Sequence, residues 1–136
     1  MPKQLPVGAT DDEVLAAVRE WAVLLAAERY DEAYDFLAHA PGEHWTPALL
    51  RAVVENYGSP APRRDGRRVQ VTPIETAGGG PAPRHEVDRE AVSPDEVASV
   101  WFDLPLNGEW SDLTALLSVR ADGDALVLRL DDLHVM

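Results

Sequence analysis

Two polar residues near the C-terminus have side chains suited to proton transfer. Asp132 and His134 lie two residues apart within an apolar stretch, LRLDDLHVM, that reads as a β-strand. Alternation along a strand would place both side chains on one face. A carboxylate beside an imidazole in a partly apolar pocket can act as a general-base pair. The sequence offers this pair as catalytic candidates. Because such residues more often solvate the end of a strand, we assign no catalytic residue.

A second polar set occurs in the segment WFDLPLNGEWSDLTALLSVR and in the strand that follows it. It combines two tryptophans with three carboxylates: Trp101, Trp110, Asp103, Asp112 and Asp131. Aromatic side chains surrounded by carboxylates suit the hot spot for a basic protein partner. The same set would fit a homodimer interface with Arg129 as the counter-charge. Three carboxylates are also potential ligands for a divalent cation, but no calcium-loop motif is present, and we predict no metal site and no cofactor.

The strands that carry these residues are defined by two hairpin signals. The dipeptides Asn107-Gly108 and Asp122-Gly123 are typical two-residue turns, and each fixes the register of the strands beside it. Counting outward from the turns places three pairs of residues opposite each other: Asp103 with Asp112, Leu113 with Asp132, and Ser111 with His134.

The same register divides the side chains between two faces of an antiparallel sheet. One face is almost entirely apolar and is predicted to pack against helices; it collects Ala98, Val100, Phe102, Leu104, Leu113, Ala115, Leu117, Val119, Leu126, Leu128 and Leu130. Asp132 and His134 fall at one end of this face, whereas the two tryptophans and the three aspartates of the second set fall on the opposite one. A one-residue bulge would exchange these assignments.

The N-terminal half is predicted to be helical. Thr10 and Glu13 have the spacing of a capping box, and apolar residues at helical spacing follow them. A shorter helix is predicted in ERYDEAYDFLAHA. A third helix is bounded by Thr46 as its N-cap, Pro47 in its first turn and Gly58 as its stop signal.

The segment between the helices and the hairpins is rich in turn residues. SPAPRRDGRR reads as a loop and RVQVTPIET as a short strand, whereas TAGGGPAPRH reads as a flexible linker. HEVDREAV reads as a charged edge strand.

The composition of the chain fits one soluble domain. Its 136 residues include 24 acidic and 12 basic ones, giving a net charge of -12, which argues against nucleic-acid binding. The absence of cysteine excludes disulfides and thiolate chemistry. The N-terminus has neither a signal peptide nor a membrane anchor, so we expect a cytoplasmic protein with no membrane partner. We predict a single domain over 1–136, with a flexible N-terminus (1–9), a helical half (10–58) and a sheet half (69–136).

The order of elements resembles that of the nuclear transport factor 2-like superfamily, also called SnoaL-like or ketosteroid-isomerase-like. The resemblance rests on amphipathic helices, the segment ERYDEAYDFL and a long antiparallel meander, and it covers most of the chain; NGEWSDLTALLSVR and LRLDDLHVM look similar to small bacterial members of unassigned function. It implies an α+β fold with N-terminal helices packed on a curved antiparallel sheet, the cone-type or cystatin-like roll, and a pocket between helices and sheet. Members include isomerases, dehydratases, ligand-binding domains and immunity proteins, so the fold does not select a function.

Two functions follow as expectations. The first is a non-enzymatic protein-binding module of the accessory or immunity type, a homodimer or the partner of a basic protein, that uses the face of Trp101 and Trp110. The second is a small-molecule pocket, binding or lyase/isomerase-like. We expect that pocket to be lined by Trp21, Trp45, Leu104, Ser111, Leu113, Leu130, Asp132 and His134.

Overall fold

Three helices pack on a curled, five-stranded antiparallel sheet in a computed structural model that describes residues 2–80, 82–90 and 94–135. The elements are β1 (Leu5–Pro6), α1 (Asp11–Ala26), α2 (Tyr30–Phe36), α3 (Pro47–Glu55), β2 (His85–Asp88), β3 (Glu96–Leu106), β4 (Glu109–Asp122) and β5 (Ala125–Val135). The strand order is β1-β5-β4-β3-β2, so the long strands form a meander with short strands at both edges. The predicted α+β class is confirmed. In the described part of the chain, no helix is long and apolar enough to span a membrane.

The predicted caps set the helix boundaries. The Thr10 side chain accepts a hydrogen bond from the Glu13 N–H while the Glu13 side chain accepts one from the Thr10 N–H, so the capping box of α1 is complete. The Thr46 hydroxyl accepts from the N–H of Leu49 at the start of α3. Gly58 has a positive φ of 89° and donates its N–H to the Val53 carbonyl, which closes the C-terminus of that helix.

The core lies between the helices and one face of the sheet, which we call the inner face. Every apolar strand residue that the sequence assigned to the helix-covered face is buried, and α1 contributes Val14, Val18, Trp21 and Leu25, none of which is exposed. The alternation of side chains along the strands therefore predicted the strand side of the core correctly, except at the end of β5, where Leu133 rather than Asp132 is buried.

The register between β3 and β4 differs from the prediction beyond the turn. Asn107 and Gly108 form the expected two-residue turn, with Leu106 paired with Glu109. Between Asp103 and Pro105 the register then shifts, so that Asp103 pairs with Thr114 rather than with Asp112. Because the shift amounts to two residues, the inner-face residues stay on the inner face.

The register between β4 and β5 changes the position of the two predicted catalytic candidates. Asp122 pairs with Ala125 at the turn. Further along, Leu117 pairs with Leu130, but its neighbour Leu116 pairs with Asp132. Asp131 is therefore an extra residue in β5, opposite no residue of β4. This β-bulge reverses the faces of the strand end. The prediction that Asp132 lies on the helix-covered face opposite Leu113 is wrong.

The segment before β2 also departs from the prediction. RVQVTPIET is not a strand: Val71 makes a single bridge to Leu106, and Ile74–Thr76 is a 3₁₀ turn. Pro73 lacks an N–H and cannot continue a strand ladder, which explains the interruption. The edge strand in HEVDREAV is present as β2, although residues 91–93 lie outside the described part. Leu5 and Ala9 are buried in the segment for which the sequence predicted flexibility.

Candidate functional site

The residues of the predicted pocket are divided between the two sides of the sheet. Trp21, Leu104, Leu113 and Leu130 are at most 4% exposed and belong to one continuous core, which Trp45 also joins. Asp132 and His134 lie on the opposite face, which we call the outer face, because they pair with Leu116 and Thr114. The sheet therefore separates the predicted apolar walls from the predicted acid and base.

The residues of the predicted partner face are also separated. Trp101 remains on the outer face, where the Arg84 guanidinium carbon lies 4.5 Å from the centre of its indole. Asp112 and Trp110 lie beyond the register shift of β4 and contact other residues, described below. The directly opposed pair of Asp103 and Asp112 does not form.

Asp103 has a structural role on the outer face. Its side chain is 9% exposed and accepts two hydrogen bonds, one from the Thr114 hydroxyl at 2.6 Å and one from the Arg84 N–H at 2.8 Å. Both carboxylate oxygens therefore have partners. The Asp103 N–H in turn donates to the Arg84 carbonyl, so this residue extends the pairing between β3 and the chain before β2.

Asp132 and His134 contact each other on the outer face, where both side chains are partly exposed. The His134 Nδ1 lies 2.8 Å from the Asp132 Oδ2, and the Asp132 Oδ1 accepts the Leu133 N–H. In the bulge, Asp131 accepts from the Ser118 hydroxyl, and partial burial raises the pKa of its carboxyl. These groups have the chemistry of a general base, but they lie on an open sheet surface rather than in the pocket that was predicted for them.

A cavity of about 450 Å³ lies beside the β3–β4 hairpin, and we call it the hairpin cavity. It lies between the hairpin, the C-terminal end of α3 and the loops that precede β2. It is lined by Tyr57, Arg63, Val69, Gly80, Leu106, Asn107, Glu109, Trp110, Ser111 and Asp112. Three of these residues, Trp110, Ser111 and Asp112, come from the two sets that the sequence singled out for other places.

Tyr57 and Asp112 form the polar centre of the hairpin cavity. Tyr57 follows α3 with a positive φ of 53°, and its hydroxyl donates a hydrogen bond to the Asp112 Oδ1. This hydrogen bond, with burial, raises the pKa of Tyr57 to about 12. The phenol therefore remains protonated at neutral pH and acts as a hydrogen-bond donor. No local sequence signal predicts this pair, because the two residues are 55 positions apart.

An aromatic stack supports the wall formed by Trp110. The His85 ring stacks on the buried Phe102 at 3.9 Å between centroids and meets Trp110 edge-on at 5.2 Å. The His85 Nε2 lies 3.1 Å from the Asp103 carbonyl, to which it donates. Desolvation lowers the pKa of His85, so the imidazole next to Trp110 is neutral at neutral pH.

The glycine-rich linker closes one side of the hairpin cavity. The Gly78 N–H donates to the Gly108 carbonyl, and Gly80 contacts the backbone of Trp110 so closely that a Cβ atom would lie 2.3 Å from the Trp110 carbonyl oxygen. Gly80 also has a positive φ of 68°. Only glycine fits this position without a shift of the backbone.

We expect Gly80→Ala to destabilise the protein by about 2–3 kcal/mol, from an unfavourable φ and a backbone clash. Gly79→Ala is a matched control, because Gly79 has nearly the same φ of 67° but a Cβ there would meet only the Glu109 carboxylate at 3.8 Å. The difference in urea-unfolding free energy between the variants measures the clash. Equal losses would show that the linker does not contact the hairpin in this way.

The described residues contain no group of three or more His, Asp or Glu side chains placed to hold a metal ion.

The sequence matches no protein-family model. Comparisons with curated proteins and with solved structures also give no significant match. The candidate site therefore has to be interpreted from its own geometry.

Proposed function

We propose that this protein is a small-molecule-binding domain and that its ligand occupies the hairpin cavity. The observation that carries the proposal is the gathering of two aromatic residues, Tyr57 and Trp110, with the carboxylates of Asp112 and Glu109 around about 450 Å³ of space. A volume of this size is typical of small-molecule sites, which combine apolar walls with a few polar groups.

The chemistry of the cavity favours binding over catalysis. A phenol whose pKa is about 12 is a poor general base at neutral pH, and its proton is engaged by Asp112. The hydrogen bond also holds the carboxylate in a fixed orientation toward the cavity wall. Such an arrangement positions a ligand rather than transferring a proton.

A second candidate function, protein binding, is supported by Trp101. This indole is only partly buried on the helix-free outer face, with Arg84 stacked on it and the exposed carboxylates of Asp131 and Asp132 on the same face. Large aromatic residues in such surroundings are common at protein interfaces. The partner would be a second copy of the chain or a basic protein.

The two tryptophans allow the two functions to be tested separately. We expect compounds from a fragment library to shift NMR signals of the hairpin cavity, and we expect Trp110→Ala to weaken their binding by about tenfold or more. Trp101→Ala is the matched control, because it removes the same side chain from a position that does not line the hairpin cavity. Melting temperatures of both variants verify that they are folded.

The opposite pattern would contradict the proposal. If fragments bind the Trp110→Ala variant as well as the unmodified protein, the hairpin cavity is not the ligand site. If Trp101→Ala instead converts a dimer to a monomer in sedimentation experiments, the outer face is an interface, and the second candidate is supported.

A further inference from the structure

We propose that the ligand of the hairpin cavity is an organic cation, a molecule that carries an ammonium or guanidinium group. This inference rests on the proposed function, and it adds the chemical class of the ligand. It follows from the charge, the hydrogen-bond inventory and the aromatic walls of the cavity.

The charge balance of the cavity leaves two carboxylates without a partner cation. Within the described residues, neither Asp112 nor Glu109 forms an ion pair with lysine, arginine or histidine. Arg63 is the basic residue of the lining, but its guanidinium pairs with Asp65 at 3.3 Å. A ligand with a positive charge would supply the cation that these two carboxylates lack.

The hydrogen-bond inventory favours a ligand that donates. The Tyr57 hydroxyl donates to Asp112, and the Ser111 hydroxyl donates to the Leu104 carbonyl at 2.6 Å. These two donors are therefore engaged within the protein. The second oxygen of Asp112 and the carboxylate of Glu109 have no hydrogen-bond donor among the described residues. A ligand rich in N–H groups fits these free acceptors.

The aromatic walls suit the same ligand class. The guanidinium carbon of Arg63 lies 5.7 Å from the centre of the Tyr57 ring, so this wall already holds a cation from the protein itself. Trp110 offers the ring type with the strongest attraction for cations. Its neighbour His85 is neutral at neutral pH and does not oppose an incoming positive charge.

Three probes of matched size test the charge of the ligand directly: n-butylammonium, n-butanol and n-butyrate. Each is titrated into the 136-residue chain while NMR follows the signals of Trp110 and Gly80. We expect the ammonium compound to bind, the alcohol to bind more weakly and the carboxylate to leave the signals unchanged. Raising the salt concentration should weaken the binding of the ammonium compound only, because salt screens its charge.

Variants locate the charge that is responsible. Asp112→Asn keeps the size of the side chain and an acceptor for Tyr57, and we expect it to weaken butylammonium binding about tenfold. Asp122→Asn is the control, because it removes one negative charge from an exposed position at the other end of β4. Glu109→Gln provides a second, exposed substitution in case Asp112→Asn disturbs folding.

Each outcome bears on a separate statement. If butanol or butyrate shifts the cavity signals and butylammonium does not, the cation class is wrong while ligand binding in the cavity stands. If Asp122→Asn weakens butylammonium binding as much as Asp112→Asn does, the effect comes from the net charge of the protein, and the inference is overturned. If none of the three probes shifts the signals, the inference is overturned too, and the fragment panel alone then decides the proposed function.

Discussion

Replacement of Leu133 by alanine is expected to lower the free energy of unfolding by about 2–5 kcal/mol, the usual cost of truncating a buried leucine. Leu133 is 2% exposed and packs in the core, although counting from the turn would have placed its neighbour Asp132 there. The bulge at Asp131 is the reason for the exchange. Urea denaturation of the variant measures the loss.

Asp132→Ala is the matched control for this prediction. Asp132 lies on the outer face in an exposed pair with His134, and such pairs contribute less than about 1 kcal/mol. The two neighbouring substitutions should therefore differ by several-fold in their effect on unfolding. A large loss in Asp132→Ala with a small one in Leu133→Ala would mean that β5 continues without the bulge.

Asp103→Ala is expected to destabilise the protein by about 3 kcal/mol, because it leaves two hydrogen-bond donors without their acceptor, one of them buried. These donors are the Thr114 hydroxyl and the Arg84 N–H. The chain before β2 should also lose protection from hydrogen exchange, since Arg84 is paired with β3 through Asp103. Equilibrium unfolding and exchange of the Arg84 amide measure the two effects.

Two controls separate the hydrogen bonds of Asp103 from its charge. Asp103→Asn keeps one acceptor and should cost less than Asp103→Ala, whereas Thr114→Val removes one donor and should reduce the cost of Asp103→Ala in a double-mutant cycle. Additive losses would contradict a direct interaction.

Local sequence signals determined much of this fold. Helix starts at Thr10 and Thr46 follow from hydroxyl groups placed to cap free N–H groups, and the first hairpin follows from the positive φ that Asn107 and Gly108 adopt readily. The inner face was predictable because alternation has a period of two and because the register differs from the predicted one by two residues along Ala98–Asp103 of β3 and along β5 as far as the Asp131 bulge. These signals act over a few neighbouring residues and need no knowledge of distant contacts.

The tertiary structure alone decided where the polar residues meet. The bulge at Asp131 moves Asp132 and His134 to the outer face, and nothing in the neighbouring sequence requires an extra residue there. Likewise, Asp112 meets Tyr57 only because the register shift in β4 and the end of α3 bring distant parts of the chain together. Alternation determined most of the buried strand residues. The exchange of Asp132 and Leu133, and the choice of partners, depended on packing between elements, which minimises the free energy of the whole fold rather than of any one segment.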